Sequence, residues 1–374
     1  MHLLILSCNT GEGHNSAAKA IGDFFTDKGE TCDIQDALAF WGPEMSKIIS
    51  MGHVFIYRRL PKLFGVGYRF EENHPAKDGD ESFMYFLVTK GCETLLSYLQ
   101  EHRFDAVVCT HIFSTMMMTE LRRSYGVTVP TYFVSTDYSC CPGLSECLAD
   151  RYFIPHADLI AEFTAAGIPK EKIVPSGIPV NPRFTKHVSP EEAKRRLHLP
   201  VDEKIVLLMC GSMGCGPIKK LTAQLPERLP NGVRLVAICG SNRHLARTLS
   251  RAEHGENLTV VGYTTRMSLY MDAATLYLTK PGGLSSTEAV TKRLPLVLIH
   301  AVPGCETRNL DFFRERGLAD TRADVDELID LVCNLCADEK KLARISKNME
   351  VFLPIPATET IYQYILEDVT RENC

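Results

Sequence analysis

Short apolar runs bounded by turn-forming residues alternate along the chain with longer stretches of helical periodicity. Leu3 to Leu6, Thr31 to Ile34, Ala106 to Cys109 and Thr131 to Val134 are expected to be strands, and their alternation with helices implies a parallel sheet covered on both faces. The pattern pauses at Pro175-Ser-Gly-Ile-Pro179-Val-Asn-Pro182. It then restarts with Ile205 to Met209, Leu235 to Cys239, Leu258 to Val261, Leu276 to Leu278 and Leu296 to Ile299. Two such series predict an α/β protein of two Rossmann-like, doubly wound domains. The expected division is residues 1–184, residues 185–355 and a last helical stretch, 356–374, returning towards the first domain. A helix is expected over Pro190 to Leu197 and another over Ala357 to Val369.

Composition agrees with this division. A chain of 374 residues exceeds what one core usually organises. Its 45% hydrophobic and 23% charged content is that of a globular protein, and its net charge of -5 gives no whole-molecule attraction for nucleic acid or anionic lipid. The 14 cysteines are scattered through apolar runs, which fits reduced thiols in the cytoplasm. The opening Met1 to Cys8 lacks a basic leader and is too short in its apolar run for a signal peptide, and it is expected to be a buried strand. No stretch reaches the length of a membrane span, so any membrane contact is expected to be peripheral.

Two glycine-rich turns follow predicted strands and open predicted helices. In Ser7-Cys8-Asn9-Thr10-Gly11-Glu12-Gly13-His14-Asn15-Ser16, Gly11 and Gly13 let the backbone approach a ligand at a helix N-terminus. The spacing Gly11-x-Gly13-x-x-Ser16, with Asp33 or Asp36 beyond it, partly fits a dinucleotide fingerprint. A nicotinamide-dependent oxidoreductase is therefore one reading, and a tight turn without a ligand is another. His14 favours a third, because an imidazole at a helix start can take a proton near neutral pH, as sugar transfer to a hydroxyl requires.

The second turn, Thr279-Lys280-Pro281-Gly282-Gly283-Leu284-Ser285-Ser286-Thr287-Glu288-Ala289, is the most specific segment of the chain. Gly282 and Gly283 clear side chains from the turn, and the N–H groups with the hydroxyls of Ser285 and Ser286 suit a diphosphate. Glu288, one turn deeper, suits a pair of ribose hydroxyls. The plainer alternative is a helix capped by Ser285 or Ser286.

This segment resembles the donor motif of the monogalactosyldiacylglycerol synthases and processive diacylglycerol glucosyltransferases, two-domain GT-B enzymes related to the peptidoglycan N-acetylglucosaminyltransferase. Val302-Pro-Gly-Cys305-Glu306-Thr-Arg-Asn309 resembles the Pro-Gly-Gln-Glu-x-x-Asn segment that follows it, Ser7 to Ile21 the family's histidine loop, and Thr136-Asp137 and Gly177 to Phe184 further landmarks. The resemblance implies an inverting hexosyltransferase that moves glucose or galactose from a UDP-sugar to a lipid, with its two domains facing a cleft and no cofactor or metal required. A UDP-N-acetylglucosamine-dependent transferase on another acceptor is the nearest alternative, and a sugar-nucleotide-binding protein without catalysis a further one. It also implies His14 as base, with Asp137 as partner or substitute. Donor contacts would come from Gly13, Gly211, Ser212, Gly240, Arg243, Tyr263, Lys280, Gly282, Gly283, Ser285, Ser286 and Glu288, with Cys305, Glu306 and Asn309 near the sugar or the helix start. The chain departs from the family at Cys305, where glutamine is common, and at Cys141, where many relatives have histidine.

Three further features bear on metals and partners. Asp324-Val-Asp326 spells an acidic metal triplet but precedes a helical run, where acidic residues cap. Cys140, Cys141, Cys147 and His156 have no zinc spacing. Met45 to Phe70 has no acidic residue and interleaves Arg58, Arg59 and Lys62 with apolar side chains, as suits an anionic bilayer at the inner face of the cell membrane, although a core helix with a basic edge explains the same residues. Nothing matches a nucleic-acid motif.

Overall fold

The computed structural model describes residues 1–42, 44–49, 51–52, 83–211, 216–251, 257–352 and 356–372. The chain forms two compact units: Met1–Asn181 with Val302–Cys305 and the C-terminal helix, and Pro182–Ala301 with Glu306–Pro354. Each is built on one six-stranded parallel sheet.

The first sheet comprises β1 (His2–Ser7), β2 (Thr31–Asp36), β3 (Ala106–Cys109), β4 (Thr131–Val134), β5 (Arg151–Ile154) and β6 (Ile173–Pro175), ordered β2-β1-β3-β4-β5-β6. Its helices are α1 (Glu12–Asp27), α2 (Phe83–Val88), α3 (Cys92–His102), α4 (Ile112–Tyr125) and α5 (Ile160–Ala165). Leu3 to Leu6 are fully buried because both faces of β1 are covered. Helix α1 closes on the sheet through Ala17, Ala18, Ala20 and Ile21. A Cβ at Gly22 would come within 2.9 Å of Ile34, so the missing side chain sets how near α1 lies to β2.

The second sheet comprises β7 (Lys204–Leu208), β8 (Val233–Ile238), β9 (Leu258–Val261), β10 (Leu276–Thr279), β11 (Leu296–Leu298) and β12 (Ala319–Asp320), ordered β12-β11-β10-β7-β8-β9. Around it run α6 (Pro190–Leu197), α7 (Ile218–Arg228), α8 (Arg243–Arg251), α9 (Met267–Ala273), α10 (Gly283–Thr291), α11 (Cys305–Glu315), α12 (Val325–Ala337) and α13 (Glu339–Phe352). Val206, Leu208, Leu235 and Leu278 meet Leu221 and Leu225 of α7 and Ile329 and Val332 of α12 in its core. Ser189 caps α6 through the N–H of Glu192, and Pro190 follows at the first helical position.

The last helix, α14 (Ala357–Glu372), belongs to the core of the first unit. Its Ile361 and Ile365 are fully buried among Leu3, Ile5, Phe25, Tyr132 and Phe153. The Arg151 guanidinium forks onto Asp368 at 2.5 and 2.6 Å, joining the helix to β5. Asp324 accepts from the N–H groups of Asp326 and Glu327 at 2.8 and 3.2 Å and so caps α12, as the capping reading of the acidic triplet expects. His156 likewise accepts from the Asp158 N–H, and burial pushes the thiols of Cys141 and Cys147 up. Among the described residues no cluster of three or more His, Cys, Asp or Glu is placed to hold a metal, and no helix is long and apolar enough to cross a membrane.

Three strands went unforeseen: β12 is a two-residue pairing without an apolar run, β6 has only Ile173 and Val174 before Pro175, and β5, though as long as β3 and β4, opens on Arg151. Most of the basic stretch from Met45 to Phe70, including Arg58, Arg59 and Lys62, lies outside the described residues. At its start, Ile48 and Met51 are 60% and 71% exposed, while Ser46 is buried and donates to Asp36.

Truncating Ile365 to alanine would leave a hole in the first unit's core. The unfolding transition of that unit, followed in urea, is expected to lose about 2 to 5 kcal/mol. A loss under about 1 kcal/mol would mean that α14 contributes little to that core.

Candidate active site

In the first unit the loop from Ser7 to Asn15 is wired to itself. Ser7 Oγ donates to Asn15 Oδ1 at 2.7 Å, Asn15 Nδ2 to Asn9 Oδ1 at 2.9 Å, and Asn9 Nδ2 to Asp36 at 2.8 Å. Gly11 is the N-cap of α1, with φ -174° and no side-chain hydrogen bond. The first N–H groups of the helix therefore lack a capping side chain.

His14 lies in this first turn. Its Nδ1 is 2.9 Å from the carbonyl oxygen of Thr110 and 2.9 Å from Thr136 Oγ1. A carbonyl only accepts, so Nδ1 carries the proton and the basic lone pair of the neutral ring is on Nε2. Thr110 also donates its hydroxyl to the His14 carbonyl at 3.2 Å, tying the start of α1 to the end of β3. The ring of His111 packs edge-on against His14, centroids 4.5 Å apart. His111 Nδ1 accepts from the Phe113 N–H at 3.1 Å, capping α4, so its other nitrogen bears the proton and donates to Thr10 Oγ1 at 3.1 Å. Sequence reasoning passed over His111; its signal was a histidine just beyond a buried strand. Asp137 follows Thr136 in the loop after β4, its carbonyl accepting from Ser135 Oγ at 3.0 Å.

In the second unit, α10 begins at Gly283 with Gly282 as N-cap and no side-chain cap. Ser285 and Ser286 are thus inside the first turn and cap nothing, which removes the capping alternative. The first N–H to close a helical bond is that of Ser286, to the Gly282 carbonyl at 3.0 Å. At Gly282 φ is -77°, and an added Cβ would meet nothing within 4 Å. Neither conformation nor packing asks for glycine there, and the bare turn leaves room for the close approach of a ligand. Ser285 is half-buried, whereas the Ser286 hydroxyl is buried with no hydrogen-bond partner among the described residues.

The turn before α10 is braced from α11. Lys280 Nζ meets Glu306 at 2.8 Å in a largely buried pair, and Asn309, fully buried, donates to the Pro281 carbonyl at 2.9 Å. A Cβ on Gly211 would sit 2.9 Å from the Lys280 stem, and φ there is +69°, so this glycine is required twice over. Cys305 opens α11 and is half-buried. Gly240, two residues beyond β8, has φ +58°, Arg243 opens α8 and is exposed, and Tyr263 is 74% exposed. Ser212 lies outside the described residues.

Glu288 sits in α10, half-buried. Desolvation pushes its carboxyl from an ordinary 4.5 up to about 8, and only Arg183 pulls the other way. Arg183 is held by a bond from Nη1 to the Thr265 carbonyl at 3.1 Å, and its own carbonyl accepts from Ser268 at 2.8 Å. At neutral pH Glu288 is therefore largely protonated, which removes the repulsion a carboxylate would exert on a nearby diphosphate.

The family description for monogalactosyldiacylglycerol (MGDG) synthase matches residues 14–180, and that for the glycosyltransferase family 28 C-terminal domain matches residues 205–304. The chain is therefore similar to the monogalactosyldiacylglycerol synthases over its first unit and to glycosyltransferase family 28 over much of its second. It is 28% identical to a processive diacylglycerol beta-glucosyltransferase of Bacillus cereus (strain B4264), over 99% of this chain and 94% of the relative. The enzyme of the same name from Bacillus subtilis (strain 168) is also 28% identical, over 99% and 95%. The fold is GT-B. Acinetobacter baumannii MurG superposes with a TM-score of 0.64 at 15% identity over 98% of this chain and 99% of that one. A Staphylococcus aureus MnaA–UDP structure does so with 0.64 at 13% over 97% and 95%.

Two outcomes follow from the geometry of the second loop. Gly282→Ala should fold with stability within about 1 kcal/mol of the parent, because the backbone suits alanine, yet lose UDP affinity in calorimetry. Unchanged affinity would show that the glycine serves no ligand. For Glu288, the raised pKa means that the folded carboxyl keeps a proton which the unfolded chain releases above its ordinary 4.5, so the residue destabilises the fold increasingly until pH about 8. Glu288→Gln should therefore gain stability relative to the parent as pH rises through that window. Ribose hydroxyls donating to the carboxylate would make parental UDP-glucose affinity rise with pH up to about 8, by at most tenfold per pH unit, while the variant stays flat and weaker. A flat parental profile would remove Glu288 from the ribose site.

Proposed function

We propose that the chain is an inverting, UDP-sugar-dependent hexosyltransferase that glycosylates a diacylglycerol-type lipid. The named relatives support the reaction class, and the similarity to glycosyltransferases in both units speaks against the nicotinamide alternative. The observation that carries the mechanism is the Thr110 carbonyl on His14 Nδ1, because it leaves Nε2 as the basic atom. Nε2 takes the acceptor hydroxyl's proton as that oxygen attacks the anomeric carbon. The glycosidic bond breaks with its electron pair on UDP, whose diphosphate is held by the first turn of α10. One displacement inverts the anomeric centre, so an α-linked donor gives a β-linked product. Thr10, Thr136 and His111 position the ring, and Asp137 is the substitute base. Neither a metal nor a cofactor is needed in this scheme.

The acceptor belongs to a membrane, and the reading places the protein in the cytoplasm, peripheral to the inner face of the cell membrane. The exposure of Ile48 and Met51 supports lipid contact at the start of the basic stretch that includes Arg58, Arg59 and Lys62. Incubation with UDP-glucose, UDP-galactose and UDP-N-acetylglucosamine against diacylglycerol, followed by mass analysis, tests the reaction and names the sugar. His14→Ala should keep UDP affinity and lose about 10² to 10⁴ in turnover. Turnover near the parent's at saturating substrates would transfer the role of base to Asp137.

A further inference from the structure

Helix α8 carries a cationic face that the reaction does not use. His244, Arg247, Thr248 and Arg251 follow one another at helical spacing, are exposed, and line one shallow surface depression. The opposite side of the helix is anchored in the second unit's core by buried Leu245 and Leu249. The arrangement is electrostatically unfavourable in isolation. Arg247 and Arg251 are like charges one turn apart, and Arg243 stands at the positive end of the helix dipole.

Several other arginines of the chain are neutralised. Arg122 pairs with Asp150, Arg151 with Asp368, Arg228 with Asp326 and Asp330, and Arg234 with Glu203. Among the described residues, Arg243, Arg247 and Arg251 have no carboxylate partner. This concentration of positive charge stands out in a chain whose net charge is -5.

We infer that this face of α8 docks on anionic phospholipid headgroups at a bilayer surface. The inference rests on the lipid-acceptor reading for the choice of partner, and on charge complementarity for the site. A plane of phosphates meets every exposed cation of one helix at once, whereas nine residues, about 14 Å of helix, are short for tracking a polynucleotide. The aliphatic stems of the arginines suit the headgroup zone as well.

Sedimentation with vesicles of phosphatidylcholine alone, and of phosphatidylcholine mixed with phosphatidylglycerol, tests this on the full chain without any donor. The parent should bind the mixed vesicles, not the neutral ones, and release them at raised salt. Arg247→Gln with Arg251→Gln should lower binding to the mixed vesicles about thirty-fold, at roughly 1 kcal/mol per charge. Arg247→Gln alone should lower it about five-fold, and is the fallback if the double variant folds poorly. A parent that ignores phosphatidylglycerol, or variants that bind as well as it does, would overturn the inference. So would variants that lose only binding to a single-stranded RNA. Absent sugar transfer with α8-dependent vesicle binding would instead sink the proposed reaction and leave this surface standing.

Discussion

Every helix that leaves a parallel strand begins with N–H groups that the helix itself cannot satisfy, and this constraint organises the molecule. Side chains close several of these ends: His111 for α4, Ser189 for α6, Asn242 for α8 and Asp324 for α12. At α1 and α10 the N-cap is glycine and no side chain caps either helix. Helices α3, α5, α7 and α9 lack a side-chain cap as well, and α3 also has glycine at its N-cap, but only α1 and α10 open from the two glycine-rich turns that carry the candidate chemistry. A polar cap at either position would stabilise the helix and take up the donors that an anionic ligand needs.

The histidines show how one tautomer sets another's surroundings. His111 must present a lone pair to the Phe113 N–H to cap α4, so its other nitrogen donates to Thr10 and the ring is neutral in that role. His14 is oriented the opposite way, with its proton on the Thr110 carbonyl and its lone pair on Nε2. A neutral ring beside His14 adds no charge to oppose its taking a proton. The bracing of the second loop follows the same economy. The Lys280–Glu306 pair is largely buried, where breaking it would cost about 3 to 5 kcal/mol, so the pair holds the turn in one geometry. Glu288 works against the fold instead. Its desolvated carboxyl is a stability cost retained at a candidate binding position, the kind of compromise that ligand sites commonly show.

Much of the architecture was legible in the sequence because buried parallel strands announce themselves as apolar runs, and nine of the twelve described strands lie where short runs were expected, although β2, with Asp33, Gln35 and Asp36, is neither unbroken nor buried. Glycine after a strand and before a helix likewise points to Gly11 and Gly282 without any coordinates, since few other residues suit a backbone that a ligand approaches. What the sequence withheld depends on contacts between residues distant in the chain. That Thr110 meets His14, that His111 caps α4 while touching Thr10, and that Glu306 neutralises Lys280 are consequences of strand order and helix register, which no local pattern encodes. The protonation of Glu288 is of the same kind, because desolvation is a property of the enclosing structure and not of the residue. Residue types and spacing therefore determined which groups are available, and tertiary packing decided which atom of each group can act.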